Sequence, residues 1–78
     1  MTDNRSETFR IYTPASIGAA IRHYRKEAGL SQAELAERTG LSRDYVSDLE
    51  TGQTEQLKRV LRVLRQLGVR MTLDKAGW

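Results

Sequence analysis

Leu30 to Gly52 reads LSQAELAERTGLSRDYVSDLETG, and the spacing inside this stretch predicts two short helices meeting at a glycine turn. Counted from Gln32 as the first position, Leu35 is fourth, Ala36 fifth, Gly40 ninth, Leu41 tenth, Val46 fifteenth and Leu49 eighteenth. Ala36 is small where the second helix must cross close over the first. Gly40 lacks a Cβ and can take the left-handed conformation that ends one helix and redirects the chain. Ser31, with Glu34 three residues on, forms a capping box for the first helix, and Ser42 can cap the second.

On the N-terminal side, Thr13 is placed to cap a further helix with Pro14 at its first position, where the missing N–H costs nothing. Ile17, Ala20, Ile21, Tyr24 and Ala28 recur along it at helical spacing, and Gly29 supplies its stop. Tyr24 sits in this apolar stripe and is expected to pack in the core with a wet hydroxyl. Residues 1–8 are polar and expected to form a flexible arm.

On the C-terminal side, Thr54 is the expected cap of a long amphipathic helix from Glu55 to Leu67, closed by Gly68. Leu57, Val60, Leu61, Val63, Leu64 and Leu67 cover an arc wider than one core contact needs, while Lys58, Arg62 and Arg65 line one side. Val69, Met71 and Leu73 then alternate with Arg70 and Thr72 at the period of a strand with one buried face. A lone strand is unstable, and no second strand-like run is evident. Its expected partner is the same strand, residues 69–73, of a second copy. The chain divides into an arm at 1–8, a folded domain at 9–68, the dimerisation strand at 69–73 and a tail at 74–78.

Composition bounds the function. A chain of 78 residues is one domain whose core gives limited stability, so oligomerisation is expected to supplement it. With no cysteine and a lone His23, neither disulfides nor a metal centre is expected, and no cofactor. No apolar run approaches a membrane span, and the N-terminus is not a signal peptide, so the expected location is cytoplasmic. A formal charge of +3 and a pI near 9.7 favour nucleic acid as partner. No nucleophile, base or metal constellation is visible, and Asp44 and Asp48, one turn apart, are not read as catalytic; no enzyme is expected.

Gln32, Ala36, Gly40, Leu41, Val46, Leu49 and Glu50-Thr51-Gly52 stand at the spacing of a helix-turn-helix. They resemble the phage-repressor class known as the XRE family. Together with IYTPASIGAAIRHYRKEAG, TEQLKRVLRVLRQLGV and RMTL, they make residues 9–73 similar to the HipB-like antitoxins. The resemblance implies an all-α, lambda-repressor-like bundle of four main helices, with a short C-terminal strand paired across a homodimer. It also implies a repressor that binds double-stranded operator DNA and a HipA-like serine/threonine kinase toxin. A solitary XRE-type regulator, or an interaction module that no longer binds DNA, are the alternatives.

In this motif class the second helix enters the major groove with its N-terminal residues at the base edges. Arg43 is the candidate for bidentate contact with guanine, with Ser42 and Ser47 on the same face and Asp44 excluding wrong sites or accepting from cytosine. Tyr45 is a candidate for the sugar-phosphate. Gln32, beside the free N–H groups of its helix, suits a phosphate. Arg22, Lys26, Arg38, Lys58 and Arg62 are further backbone candidates. From the resemblance, Arg25 and Glu50 pair beneath the DNA-binding surface. The expected dimer interface comprises Val60, Val63, Leu67, Val69, Met71 and Leu73. Trp78 is read either as an anchor into a partner pocket or as folded back or idle.

Overall fold

The computed structural model describes residues 8–76. Residues 1–7 of the arm and Trp78 lie outside the described residues. The chain runs β1 (Phe9–Ile11), α1 (Pro14–Glu27), α2 (Gln32–Thr39), α3 (Arg43–Thr51), α4 (Glu55–Leu67) and β2 (Met71–Leu73).

Local chemistry sets the helix boundaries. The Thr13 hydroxyl accepts from Ser16 N at 3.1 Å, and the Ser16 hydroxyl accepts in return from Thr13 N at 2.9 Å. Serine thus closes the box that glutamate closes in α2, where Ser31 N donates to Glu34 Oε1 at 2.8 Å. That bond and the Ser31 hydroxyl hold the Glu34 carboxyl below its ordinary range. Gly40 ends α2 at φ 75°. Thr54 occupies the N-cap position of α4 but its side chain makes no cap bond, and its buried hydroxyl has no partner among the described residues.

One expectation is overturned. β2 pairs within the chain, antiparallel to β1, with Phe9 opposite Leu73, Arg10 opposite Thr72 and Ile11 opposite Met71. The strand has its partner in the segment before α1, so the premise for pairing it with a second copy is gone. It also spans Met71–Leu73, shorter than 69–73. Met71 and Leu73 consequently pack, with Phe9, Ile17, Leu57 and Leu64, against the chain's own core of Ile11, Ala20 and Leu61. Both are half-buried against this core. Val69 lies outside the strand and is exposed.

The core is small. Its buried apolar side chains are Ile11, Ala20, Ala36, Val46 and Leu61. Tyr24 is half-buried, as its place in the stripe implied, and meets Phe9 edge-on with ring centroids 5.5 Å apart. Ala28, assigned to that stripe, is instead the exposed C-cap of α1. Of α4 only Leu61 is buried, whereas Val60, Val63 and Leu67 face outward. Arg65 Nη2 donates to Tyr12 O at 3.1 Å and ties α4 to the end of β1.

α1 and α3 cross in close backbone contact. A Cβ built on Gly18 would stand 2.5 Å from the carbonyl oxygens of both Leu49 and Glu50, so only glycine lets α1 settle on the end of α3. Gly52 combines both glycine roles: its φ is 74°, and an added Cβ would meet Ala15 N at 2.8 Å. No described helix is long and apolar enough to cross a membrane.

Candidate nucleic-acid interface

The unit α2–turn–α3 is held to α1 by one buried polar network. Arg25 Nε donates to Glu50 Oε2, Arg25 Nη2 donates to Glu50 Oε1 at 3.0 Å, and Arg25 Nη1 donates to Leu30 O at 2.8 Å. Gln32 Nε2 adds a fourth bond, to Glu50 Oε1 at 3.1 Å. The side chains of Arg25 and Glu50 are only 9% and 2% exposed, so neither charge is compensated by water. Hydrogen bonds from Arg25 above all, and then from Gln32, hold the Glu50 carboxyl below the ordinary carboxylate range against the desolvation that opposes them. One carboxylate therefore joins three helices: Arg25 on α1, Gln32 at the first position of α2 and itself on α3.

With α3 so fixed, its buried side is Val46 and Glu50, with Leu49 half-buried. The outward side follows from the 3.6-residue period. Asp44, Asp48 and Thr51 lie along its centre and are exposed. Arg43 stands exposed at the first turn, with no ion pair among the described residues. Ser42 caps the helix, its hydroxyl accepting from Tyr45 N at 3.0 Å, which leaves that hydroxyl its own proton to donate. Tyr45 is exposed, whereas Ser47 is half-buried at the margin of the outward side. Asp48 is thus better placed than Ser47 to meet a partner. Sequence spacing alone paired it with Asp44 one turn away, but which arc of α3 faces out depends on the seat provided by α1.

Arg22, Lys26 and Arg38 are exposed on α1 and α2, as backbone contacts require. Lys58 stands 3.8 Å from Glu55 on its own helix, an exposed pair of little energetic weight, and Arg62 is exposed. No group of three or more metal-ligating side chains converges among the described residues. The open N-terminus of α3, with an arginine and hydrogen-bonding side chains beside it, can dock on a base edge, while the first turn of α2 offers N–H donors to a phosphate.

Comparison with known proteins agrees with this geometry. Residues 16–74 match the family model described as a helix-turn-helix domain. An uncharacterized HTH-type transcriptional regulator, y4mF, of Sinorhizobium fredii (strain NBRC 101917 / NGR234) is 50% identical over 69 residues, covering 87% of this chain and 91% of its own. The ImmF control region 10 kDa protein of Bacillus phage phi105 is 44% identical over 48 residues, 56% of this chain and 53% of its own. The HTH-type transcriptional regulator SinR of Bacillus subtilis (strain 168) is 35% identical over 63 residues, 76% of this chain and 57% of its own. No solved structure matches the chain with significance. The chain belongs to the XRE-type helix-turn-helix family and is a DNA-binding transcriptional regulator.

Proposed function

We infer that the protein is a homodimeric repressor that reads a palindromic operator with Arg43, and that it acts as the antitoxin of a HipA-like kinase encoded beside it. The observation that carries the DNA half is the exposed first turn of α3, with Arg43 in no ion pair among the described residues and α3 locked to α1 and α2 through Glu50. A bidentate arginine–guanine contact contributes both affinity and discrimination. Arg43→Ala is therefore expected to weaken operator binding by about 1–3 kcal/mol and to relax preference at one base per half-site. Equal selection by wild type and variant from a randomised operator library would refute the assignment.

The dimer half rests on α4. Gln56, Val60, Val63 and Leu67 follow one another at intervals of four, three and four residues, the seam of paired helices, and the three apolar members are exposed. Leu57, Leu61 and Leu64 form a second seam, the one turned to the chain's own core. A core this small gains from covering the outer seam with the same helix of another copy, and two-fold pairing presents two α3 helices to successive turns of the operator. Val63→Glu is expected to convert the protein from dimer to monomer in sedimentation at micromolar concentration while its helical circular dichroism persists. A wild-type monomer at that concentration would remove the dimer reading.

The antitoxin step is supported by the resemblance of residues 9–73 to HipB-like chains. A solitary regulator is the second reading, favoured by the descriptions of y4mF and SinR as transcriptional regulators. One experiment separates them: a footprint of the purified protein on its own upstream DNA, combined with identification of what co-purifies with it. Protection of a palindrome with a co-purifying kinase supports the antitoxin; protection without it supports the solitary regulator.

A further inference from the structure

Gln32 occupies the first position of α2, a place at which a side chain ordinarily moves freely. Here its amide is committed. One Nε2–H donates to Glu50 Oε1 at 3.1 Å, and Glu50 itself is only 8% exposed. An amide nitrogen carries two protons, and the second N–H of Gln32, like its Oε1, has no partner among the described residues. The backbone N–H groups of Gln32 and Ala33 lack intrahelical acceptors, as the first N–H groups of any helix do, whereas Glu34 N and Leu35 N are already taken by Ser31. Three unspent donors therefore belong to one helix end.

We propose that Glu50 is a positioning residue for DNA binding: its carboxylate fixes the Gln32 amide so that the second Nε2–H joins the first-turn N–H groups of α2 in holding one DNA phosphate. The proposal rests on the DNA-binding reading and on Gln32 as a phosphate ligand. Two physical features support it. The rotamer freedom that a glutamine loses on contact is here already lost on folding, so contact costs less. A carboxylate near a phosphate would ordinarily repel it, but Arg25 meets Glu50 with two N–H groups, and the phosphate encounters a compensated pair. Arg25 thereby makes it possible for an anion to orient the ligand of another anion.

Binding to a footprinted operator duplex and to an unrelated duplex is measured across a salt series. Gln32→Ala is expected to weaken both duplexes equally, by about five-fold, and to make the slope of log affinity against log salt shallower by about 0.9, the signature of one phosphate lost. Glu50→Asp keeps the charge that faces Arg25 but withdraws it by one methylene. It is expected to show the same shallower slope, and adding Gln32→Ala to it should cost less than two-fold more. A purely structural Glu50 would lower the unfolding midpoint yet leave the wild-type slope and the full Gln32→Ala effect in the folded protein; that result overturns the proposal.

Should Glu50→Asp not fold, Gln32→Asn serves in its place, since it retains an amide at the helix end but is a methylene too short to reach Glu50. It is expected to behave as Gln32→Ala, and recovery of wild-type slope and affinity by asparagine would overturn the proposal. In the DNA-free wild type, one Nε2 proton of Gln32 should be shifted downfield and protected from exchange; both protons at the shifts of a free glutamine amide and exchanging rapidly would be the contrary result. Absence of salt-dependent duplex binding by the wild type would defeat the regulator reading and this proposal with it. Wild-type binding with an unchanged slope in Gln32→Ala defeats the proposal alone.

Discussion

Replacing Arg25 with methionine is expected to destabilise the protein by about 3 kcal/mol at pH 7, because it leaves the Glu50 carboxylate buried without its counter-charge. Glu50 can escape by taking up a proton. From an ordinary carboxyl value of 4.5, protonation at pH 7 costs about 3.4 kcal/mol, at about 1.36 kcal/mol per pH unit, which sets the scale of the loss. The pH dependence carries the sharper signature. In the wild type the Glu50 carboxyl is held below its ordinary value, chiefly by the hydrogen bonds from Arg25. Its contribution is therefore fully present above the unfolded value and is lost as pH falls through the lower folded value. In Arg25→Met the folded carboxyl is desolvated and shifts upward instead, so that variant gains stability as pH falls from neutral toward the ordinary carboxyl range. The two stability curves should converge in acid. Urea titrations at a series of pH values measure this directly, and a constant gap between the curves would show that Glu50 does not carry the coupling.

Gly18→Ala is expected to cost about 3 kcal/mol as well, through geometry rather than charge. In an exposed helix interior the same change would add up to about 1 kcal/mol of stability, because glycine is the poorer helix former. At Gly18 the sign reverses. The new methyl would stand 2.5 Å from two backbone carbonyl oxygens, of Leu49 and Glu50, and neither can swing aside as a flexible side chain would. The crossing of α1 and α3 must open, which also moves Glu50 away from Arg25 and tilts the helix that carries Arg43. A lowered urea midpoint accompanied by weaker operator binding in the still-folded fraction is the expected pair of results. An unchanged or raised midpoint would show that the crossing has slack.

The largest difference between expectation and fold concerns β2. The alternation of Val69, Met71 and Leu73 identified a strand with one buried side, but the matching run Phe9–Ile11 is three residues long and too short to show a period. Recognition of the partner strand required the fold, because 59 or more residues separate the two and no local rule joins them. Once the antiparallel pair closes inside the chain, α4 is the element that carries three exposed apolar side chains on one seam, and the dimer argument moves from the strand to Val60, Val63 and Leu67.

What the sequence determined by itself is local and covalently near. The cap at Thr13, the box of Ser31 and Glu34, the left-handed stop at Gly40 and the span of α4 each depend on residues within one or two turns, and each stands where the spacing placed it. The pairing of Arg25 with Glu50 was legible through family resemblance, since helix periodicity can put a residue on an edge but cannot name what lies across it. Only the tertiary structure decided that Gly18 is the close-approach residue, that Asp48 rather than Ser47 lies on the outward arc of α3, and that Gln32 is bound to Glu50. All three depend on how α1 seats against α3 in space. That seat is set by the depth of one missing Cβ and by a buried carboxylate that must find donors from other helices, neither of which leaves a periodic trace along the chain.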